Sequence, residues 1–422
     1  MRQISSFAEA KQILGGYVTA PSTYTLDTMR ALMEHLDNPQ NNLKIIHIAG
    51  TSGKTSTSYF AASLLHTAGY KVGLTTSPHI DEINERVQVD LVPLPENEYC
   101  ELLGEFLDLV DASTLHPSYF ELLVAFAYWV FDKKQVDYAV IEVGLGGLLD
   151  GTNVIDRTDK VCVITDIGLD HTNVLGSTIR EIAAQKAGII TLQNFVFMQR
   201  QSDEVIQTIT EAIDRNKATL NVIGGNFPDT IDVLYATFPP FQKRNFTLAY
   251  AATSYVLGRD GHEPLTSAQL HQALEVYIPA RMEVVEYRGK TLIMDGSHNE
   301  QKIGALVGGM KGRFGNDHVA MLVSFGTLKQ LSVLASLRLL RTLGDNLIIT
   351  KYLEGQDEKR EALDPTIIAK LANDAGFTTI SVEADPMKAF ELLAQSEVPV
   401  HLVTGSFYLL NHYRSLIHTP KV

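Results

Sequence analysis

Two successive α/β units, each built on a mostly parallel sheet, are what this sequence predicts. Three observations carry that expectation. Short β-rich runs alternate with helical patterns along most of the chain, as doubly wound sheets require. The first of these runs ends in a glycine-rich turn that opens a helix, which is how a βαβ unit begins. The alternation pauses around residues 221–241 and starts afresh after Ile278-Pro279-Ala280-Arg281. The expected division is residues 1–279 and a smaller unit over residues 280–422.

The elements follow in order. Leu43 to Ala49 is β-rich and runs into Gly50-Thr51-Ser52-Gly53-Lys54-Thr55. Ser56 to about Ala68 keeps apolar residues on one face and reads as a helix. Lys71 to Thr75 is the next strand. Residues 96–111 and 118–132 read as helices. Val136 to Glu142 is almost continuously apolar, which suits a strand covered on both faces. Val161 to Thr165 is another strand, Ile179 to Ala187 a helix and Phe195 to Met198 a strand. Asn221 to Phe241 holds Gly224, Gly225, Pro228, Pro239 and Pro240 and reads as loose. Phe246 to Leu257 is helical. Beyond the boundary, strands are expected at 291–295, 319–325, 346–351, 378–383 and 399–404, each followed by a helical pattern.

Composition excludes several classes. The chain has 422 residues, 45% hydrophobic and 20% charged, enough apolar mass for more than one core. No apolar run approaches the ~20 residues that span a bilayer, so no membrane partner is expected. Met1 to Ser6 lacks the apolar stretch of a secretory signal. A formal charge of −14 repels nucleic acid but leaves room for a small anion held by local amides and cations. Cys100 and Cys162 are the only cysteines, too few for a disulfide framework or a zinc pattern. They read as buried small hydrophobes and fit a reducing cytoplasm.

The glycine-rich turn has a physical purpose. Glycines let backbone N–H groups close around phosphate oxygens, and the helix start adds a positive end. Lys54 can bridge terminal phosphates and Thr55 can hold Mg²⁺. The strict pattern G-x-x-x-x-G-K-S/T is not met, because Ile48 stands where its first glycine belongs. Strand before and helix after supply the missing context. Glu142 closes a buried strand ahead of another glycine-rich turn, so its carboxylate faces the ligand crevice at the carboxyl edge of the sheet. His171 opens on the same edge after strand 161–165. Lys186 alone reads as a solvated helix lysine. Asp295-Gly296-Ser297-His298 lies between a strand end and a helix start, where a ligand site belongs.

The turn resembles the ATP loop of the Mur ligase superfamily, in particular the folylpolyglutamate/dihydrofolate synthases. Further blocks keep the order of that family. They are Thr76-Ser77-Pro78-His79, Asn84 to Val89, Tyr119-Phe120-Glu121, Asp137 to Asn153, Ile167 to Ile190, Gln242 with Asn245, Pro279-Ala280-Arg281, Asp295 to Asn299 and Val403 to Ser406. The resemblance spans about residues 44–410. It implies Mur ligase architecture, with a P-loop-type N-terminal domain followed by a smaller Rossmann-like domain on the glutamate side.

What the resemblance implies for chemistry is an ATP-driven amide ligase. A carboxylate takes the γ-phosphate to give an acyl phosphate, and the amine of L-glutamate displaces phosphate. The acceptor is a folate or pteroate. The nucleotide would be held by Gly50, Thr51, Ser52, Gly53, Lys54, Thr55 and Ser56, with Asn245, Arg281 and Asp295. Two Mg²⁺ sites are implied, one near Ser77, Glu142 and His171 and one near Thr55. Lys186 takes the place of a lysine that the family carries as a carbamate, N6-carboxylysine. Lys54, Glu142, His171 and Lys186 are therefore the expected catalytic group. Phe120, Glu121, Leu149 and Asp150 are expected on the acceptor side, His298 and Ser406 on the glutamate side. The family's habit is a monomer.

The sequence also departs from the family pattern. Thr25 to Thr28 replaces a Gly-Leu-Glu-Arg-like stretch, Leu148 replaces an arginine, and Glu82 replaces a basic residue. Lys329 to Ser332 stands where the family has Asp-Lys-Asp. Losing the arginine deletes a charge and a donor fork. Two other readings stay open on this basis: a Mur-type ligase with a non-pterin acceptor, and a homologue that binds nucleotide or folate without turnover.

Overall fold

The structure is a computed structural model that describes residues 2–18, 25–227, 229–315, 318–327, 330–352 and 361–417. Met1, Pro228 and Lys329, named above, lie outside the described residues. The chain divides into two compact units, Met1–Ala236 with Gln242–Val276, and Thr237–Phe241 with Tyr277–Val422. Among the described residues no helix is long and apolar enough to cross a membrane.

The first unit is an eight-stranded sheet. In chain order its strands are β1 (Lys44–Ala49), β2 (Val72–Thr75), β3 (Gln88–Val89), β4 (Val92–Pro93), β5 (Tyr138–Glu142), β6 (Val161–Ile164), β7 (Phe195–Gln199) and β8 (Thr219–Ile223). Their spatial order is β4-β3-β2-β5-β1-β6-β7-β8. The pairings β2-β5-β1-β6-β7-β8 are all parallel, and β3 runs antiparallel to both β2 and β4. β1 lies at the centre, paired with β5 and β6, and five of its six residues are buried. That double cover is why its sequence is apolar at every buried position except His47. The helices are α1 (Phe7–Leu14), α2 (Asp27–His35), α3 (Lys54–Thr67), α4 (Glu96–Asp111), α5 (Tyr119–Lys133), α6 (Thr172–Leu175), α7 (Ile179–Ala187), α8 (Asp203–Asn216), α9 (Val233–Thr237), α10 (Pro240–Arg259) and α11 (Ser267–Leu274). The largest core cluster packs α1, α2, α4 and α5 around Tyr99, Phe106, Phe126 and Phe131. Each such ring, fully buried, contributes about 1.5–3 kcal/mol relative to exposure.

The loose stretch expected over 221–241 is more ordered than its composition suggests. β8 reaches into it, and α10 starts at Pro240 rather than Phe246. Proline is tolerated at the first helical position because the N–H it lacks would have no helical partner. α8 escaped the sequence reading, although Val205, Thr208, Ile209, Ala212 and Ile213 give it a buried face at helical spacing. Both cysteines are buried and free, and burial raises both thiols, Cys162 to about 11. They are inert packing residues.

The second unit holds β9 (Glu283–Tyr287), β10 (Lys290–Asp295), β11 (Val319–Val323), β12 (Asn346–Ile349), β13 (Thr379–Val382) and β14 (Val400–Thr404). Its order is β13-β12-β11-β14-β10-β9. Helices α12 (Glu300–Phe314), α13 (Gln330–Arg341), α14 (Pro365–Asp374), α15 (Pro386–Gln395) and α16 (Phe407–Ile417) follow the five parallel strands. β9 is the addition that the sequence reading lacked. It runs antiparallel to β10 through Arg288 and Gly289, both with positive φ (51° and 74°), the geometry of a two-residue hairpin turn.

Candidate active site

The end of β1 is fastened to the neighbouring strand end. The amides of Thr51 and Ser52 both donate to Asp166 O, at 2.9 and 3.1 Å. Thr51 Oγ1 donates to Gly168 O at 3.0 Å. Thr51 thus shapes the turn, and the amides from Gly53 onward head α3. Gly53 has φ +89°, and a Cβ there would lie 2.4 Å from Asn245 Oδ1. Only glycine combines that backbone with that closeness. Asn245 arrives on α10, which is tied down by Arg244. The Arg244 Nη2 donates to Asp166 Oδ1 at 2.5 Å. Gly50, Thr51, Ser52, Gly53, Lys54 and Asn245 are thereby gathered at one sheet edge, with Ser56 buried beneath.

Thr55, on the first turn of α3, donates its Oγ1 to Glu142 Oε1 at 3.0 Å. Glu142 ends β5 and is only 3% exposed. It lines a small cavity together with Ser77, Arg86 and Phe120. His171 directly precedes α6, in the left-handed region (φ +49°), with its Nε2 3.9 Å from Asp170 Oδ1. Lys186 sits in the last turn of α7 and is buried, not the solvated lysine that its sequence alone suggests. Among the described residues no three His, Cys, Asp or Glu side chains gather to hold a metal. Two hydroxyls and one carboxylate are a hard oxygen set. They suit Mg²⁺, which keeps several waters and shares substrate phosphates rather than demanding a full protein cage.

On the acceptor side, the turn after β5 packs on Phe120. A Cβ at Gly144 would meet the Phe120 ring at 2.5 Å. Glu121 is committed within the chain, where its Oε2 accepts from Ser118 N at 2.8 Å and Ser118 Oγ at 2.7 Å in a capping box for α5. That Ser-x-x-Glu spacing was legible in the sequence. Leu148 and Leu149 are exposed, 43% and 42%, next to the buried Asp150. Burial raises the Asp150 carboxyl above the usual range, and hydrogen bonds from Leu145 N and from Thr152 draw it back. Thr152 Oγ1 donates to Asp150 Oδ1 at 2.6 Å and lies 2.9 Å from His47 Nε2. His47, fully buried on β1, is held well below the usual histidine range by burial and by the Lys160 charge.

The second unit gathers its own candidates. Asp295 Oδ2 accepts from Met282 N and Oδ1 from Ser297 N, both at 2.8 Å. It therefore fixes the segment that carries Arg281. The Arg281 guanidinium lies 4.5 Å from the centre of the Phe407 ring. His298 Nδ1 is 2.9 Å from Gly296 O, and its Nε2 is 3.1 Å from Lys302 Nζ. Ser406 Oγ accepts from Tyr408 N at 3.2 Å, at the head of α16. Glu283 accepts from Ala280 N at 2.9 Å and pairs with Arg414 in the interior.

Sequence reasoning missed the Asp166 carbonyl, Arg244, Arg86 and His47 as parts of this region. Arg86 stands in the Asn84 to Val89 block that was singled out, and Asp166 lies one residue before the Ile167 block. Nothing in the sequence links them to their partners.

The comparisons with known proteins agree with this architecture. The Mur ligase middle domain family matches residues 48–231. The chain is 32% identical over 413 residues to a dihydrofolate synthetase of Saccharomyces cerevisiae, covering 91% of this chain and 95% of that one. It is 28% identical to a dihydrofolate synthase/folylpolyglutamate synthase of Bacillus subtilis, over 97% and 99% of the two chains. A Mycobacterium tuberculosis folylpolyglutamate synthase, solved with ADP and AMPPCP, superposes with a TM-score of 0.86 at 26% identity, over 98% of this chain and 99% of that one. The chain belongs to the folylpolyglutamate synthase/dihydrofolate synthase family of Mur-type ligases.

Proposed function

We propose that this chain is an ATP- and Mg²⁺-dependent ligase that joins L-glutamate to the carboxylate of a folate-type acceptor. Dihydropteroate, a reduced folate or both would serve. One observation carries the reading: a glycine-rich turn opens α3, and the Thr55 hydroxyl of that helix meets the buried Glu142 carboxylate at 3.0 Å. A phosphate cradle and a hard oxygen ligand stand side by side. The named activities of the relatives support it, as does the M. tuberculosis structure with ADP and AMPPCP.

The first unit would take ATP and the acceptor, and the second the glutamate side. The acceptor carboxylate oxygen attacks the γ-phosphorus, the bond to the β–γ bridging oxygen breaks, and ADP leaves. The glutamate amine then attacks the acyl carbon, and phosphate departs. Lys54 and the first-turn amides of α3 offset phosphate charge and hold it in line. Thr55, Ser77, Glu142 and His171 would hold Mg²⁺, which supplies charge neutralisation at the phosphate oxygens. Lys186 would join them as a carbamate: its ammonium gives up one proton, the free amine takes up CO₂ and gives up a second, and a cation becomes an oxygen ligand. Phe120, Leu149 and Asp150 orient the acceptor. Asn245, Arg281 and Asp295 position the nucleotide, and His298 and Ser406 the amino acid. The protein works as a cytoplasmic monomer in this reading.

The test is ADP release with L-glutamate present, across pteroate, dihydropteroate, tetrahydrofolate and non-pterin carboxylates. Release that needs both glutamate and a pterin compound is expected. Release with a non-pterin acid alone would move the chain to a different acceptor, the outcome that Leu148 in place of the family arginine favours. Labelled bicarbonate should give a carbamate NMR signal that Lys186→Arg abolishes.

A further inference from the structure

His47 is the one polar residue among the buried positions of β1. Ile45, Ile46, Ile48 and Ala49 are apolar, while the His47 side chain is fully buried with them. It sits at the centre of the sheet, level with Ile141 of β5 and Cys162 of β6. An imidazole is a poor packing choice there. Its Nδ1 is buried with no hydrogen-bond partner among the described residues, which costs stability. Local misfits of that kind concentrate at functional sites.

The other ring nitrogen shows what the imidazole holds. His47 Nε2 lies 2.9 Å from Thr152 Oγ1, which lies 2.6 Å from Asp150 Oδ1. Backbone amides decide which way the protons point. Thr152 N donates to Asp150 Oδ1 at 3.0 Å, and Leu145 N donates to Oδ2 at 2.6 Å. Both Asp150 oxygens therefore accept, as an ionised carboxylate does. The Thr152 hydroxyl gives its single proton to Asp150, so it accepts from His47. His47 is then the neutral tautomer with its proton on Nε2, and a directed line of donors runs from β1 to Asp150.

That line ends in the turn on the acceptor side. The ring of Phe120 lies against both ends of this turn. A Cβ at Gly144 would meet the ring at 2.5 Å, and one at Gly151 at 3.4 Å. The outer part is fixed by the backbone, where Leu148 N donates to Gln185 O at 2.7 Å. Asn153 Nδ2 donates to both Leu148 O and Gly188 O at 3.0 Å. Tyr128 Oη, from α5, donates to Thr152 O at 2.9 Å. His47 ties the inner part to the central strand. Without its Nε2 proton the Thr152 hydroxyl keeps a buried lone pair unmet, and turning that side chain away breaks the bond to Asp150.

We propose that His47 is a positioning residue for the acceptor, acting through Thr152 on Asp150 and on the turn that packs against Phe120. The proposal rests on the folate-type reading above, which puts Phe120 and Asp150 on the acceptor side.

The test is glutamate-dependent ADP release by the full chain, with dihydropteroate as the acceptor probe and KM measured for it and for ATP. Wild type is compared with His47→Leu, His47→Gln, Thr152→Val and the double variant His47→Leu/Thr152→Val. His47→Leu removes the donor and should raise the KM for dihydropteroate at least fivefold, with the KM for ATP within twofold. His47→Gln can place an amide N–H where Nε2 stood and should stay within twofold on both. Thr152→Val should match His47→Leu, and the double variant should be no worse than either. Thermal melts identify folded variants, and if His47→Leu does not fold, Thr152→Val decides by the same criterion. A rise in the dihydropteroate KM below fivefold overturns the proposal. So do equal rises for dihydropteroate and ATP, no rescue by His47→Gln, additive losses in the double variant, or loss of the fold in both single variants, each of which makes the line a structural tie only. All of these leave the folate-type reading standing. A wild-type chain whose ADP release responds to neither dihydropteroate nor tetrahydrofolate overturns that reading and this proposal together.

Discussion

Replacing Gly53 by alanine should damage the glycine-rich turn by an amount that the structure lets one work out. Two terms oppose the change. At φ +89° an alanine pays the left-handed penalty, about 1–2 kcal/mol. Its Cβ would lie 2.4 Å from Asn245 Oδ1 and 3.1 Å from Asn245 Cγ, so the buried amide must shift, an overpacking cost of about 1–3 kcal/mol. One term favours alanine, the smaller entropy of its unfolded chain, about 0.4–1 kcal/mol. The net loss centres near ~3 kcal/mol, which lowers the melting temperature by roughly 6–12 °C for a unit of this size. Thermal melts followed by circular dichroism read it directly. A double-mutant cycle separates the terms. In an Asn245→Ala background the contact is gone, and Gly53→Ala should cost only about 1 kcal/mol. Coupling of about 1–3 kcal/mol between the sites is expected, and strict additivity, within about 0.5 kcal/mol, would show that the close approach carries no energy.

Further outcomes follow from the same geometry. Glu142→Gln keeps the shape of the side chain and removes its charge, so glutamate-dependent ADP release should fall about 100-fold or more while the Mg²⁺ requirement rises; a Mg²⁺ titration measures both. Lys186→Ala should be nearly inactive with an unchanged melting temperature, and turnover close to wild type would remove the carbamate. His47 makes stability depend on pH. Its ring stays neutral in the fold, so below about pH 6.5 the unfolded chain takes up a proton that the folded chain does not. Stability then drops with falling pH, by up to about 1.4 kcal/mol per unit from this residue. Urea unfolding between pH 7 and pH 5 should show that slope shrinking in His47→Asn; identical slopes in the two proteins would count against it.

The parts of this molecule that were legible in its sequence share one physical property, that neighbours along the chain determine them. β1, β5 and β6 are apolar runs because they are covered on both faces, and the turn from Gly50 to Thr55 is marked by its glycines. α8 could have been read from its spacing, as could the capping box that occupies Glu121. β3 and β4 could not, since two residues apiece hold no period. The site was legible as a set of residue types at strand ends, but not as contacts. Thr55 meets Glu142 across 87 positions, and Thr51 bonds to a carbonyl beyond β6. Asp295 grips the Met282 amide through a backbone donor, which has no residue signature at all. Arg86 and His79 are only seven positions apart, yet a basic residue beside a histidine gives no hint that both are buried.

The fastening of Thr51 and Ser52 to Asp166 has a consequence for how a nucleotide is received. A floppy glycine loop loses freedom on binding, and that loss weakens affinity. Here the mould is cast when the chain folds, since the amides that would otherwise wander are already anchored to the adjacent strand end. If this turn receives the nucleotide as proposed, incoming phosphate would meet a finished surface, and its arrival should be limited by diffusion and charge rather than by loop rearrangement. Hydrogen exchange would register this as slow amides at Thr51 and Ser52 before any ligand is added.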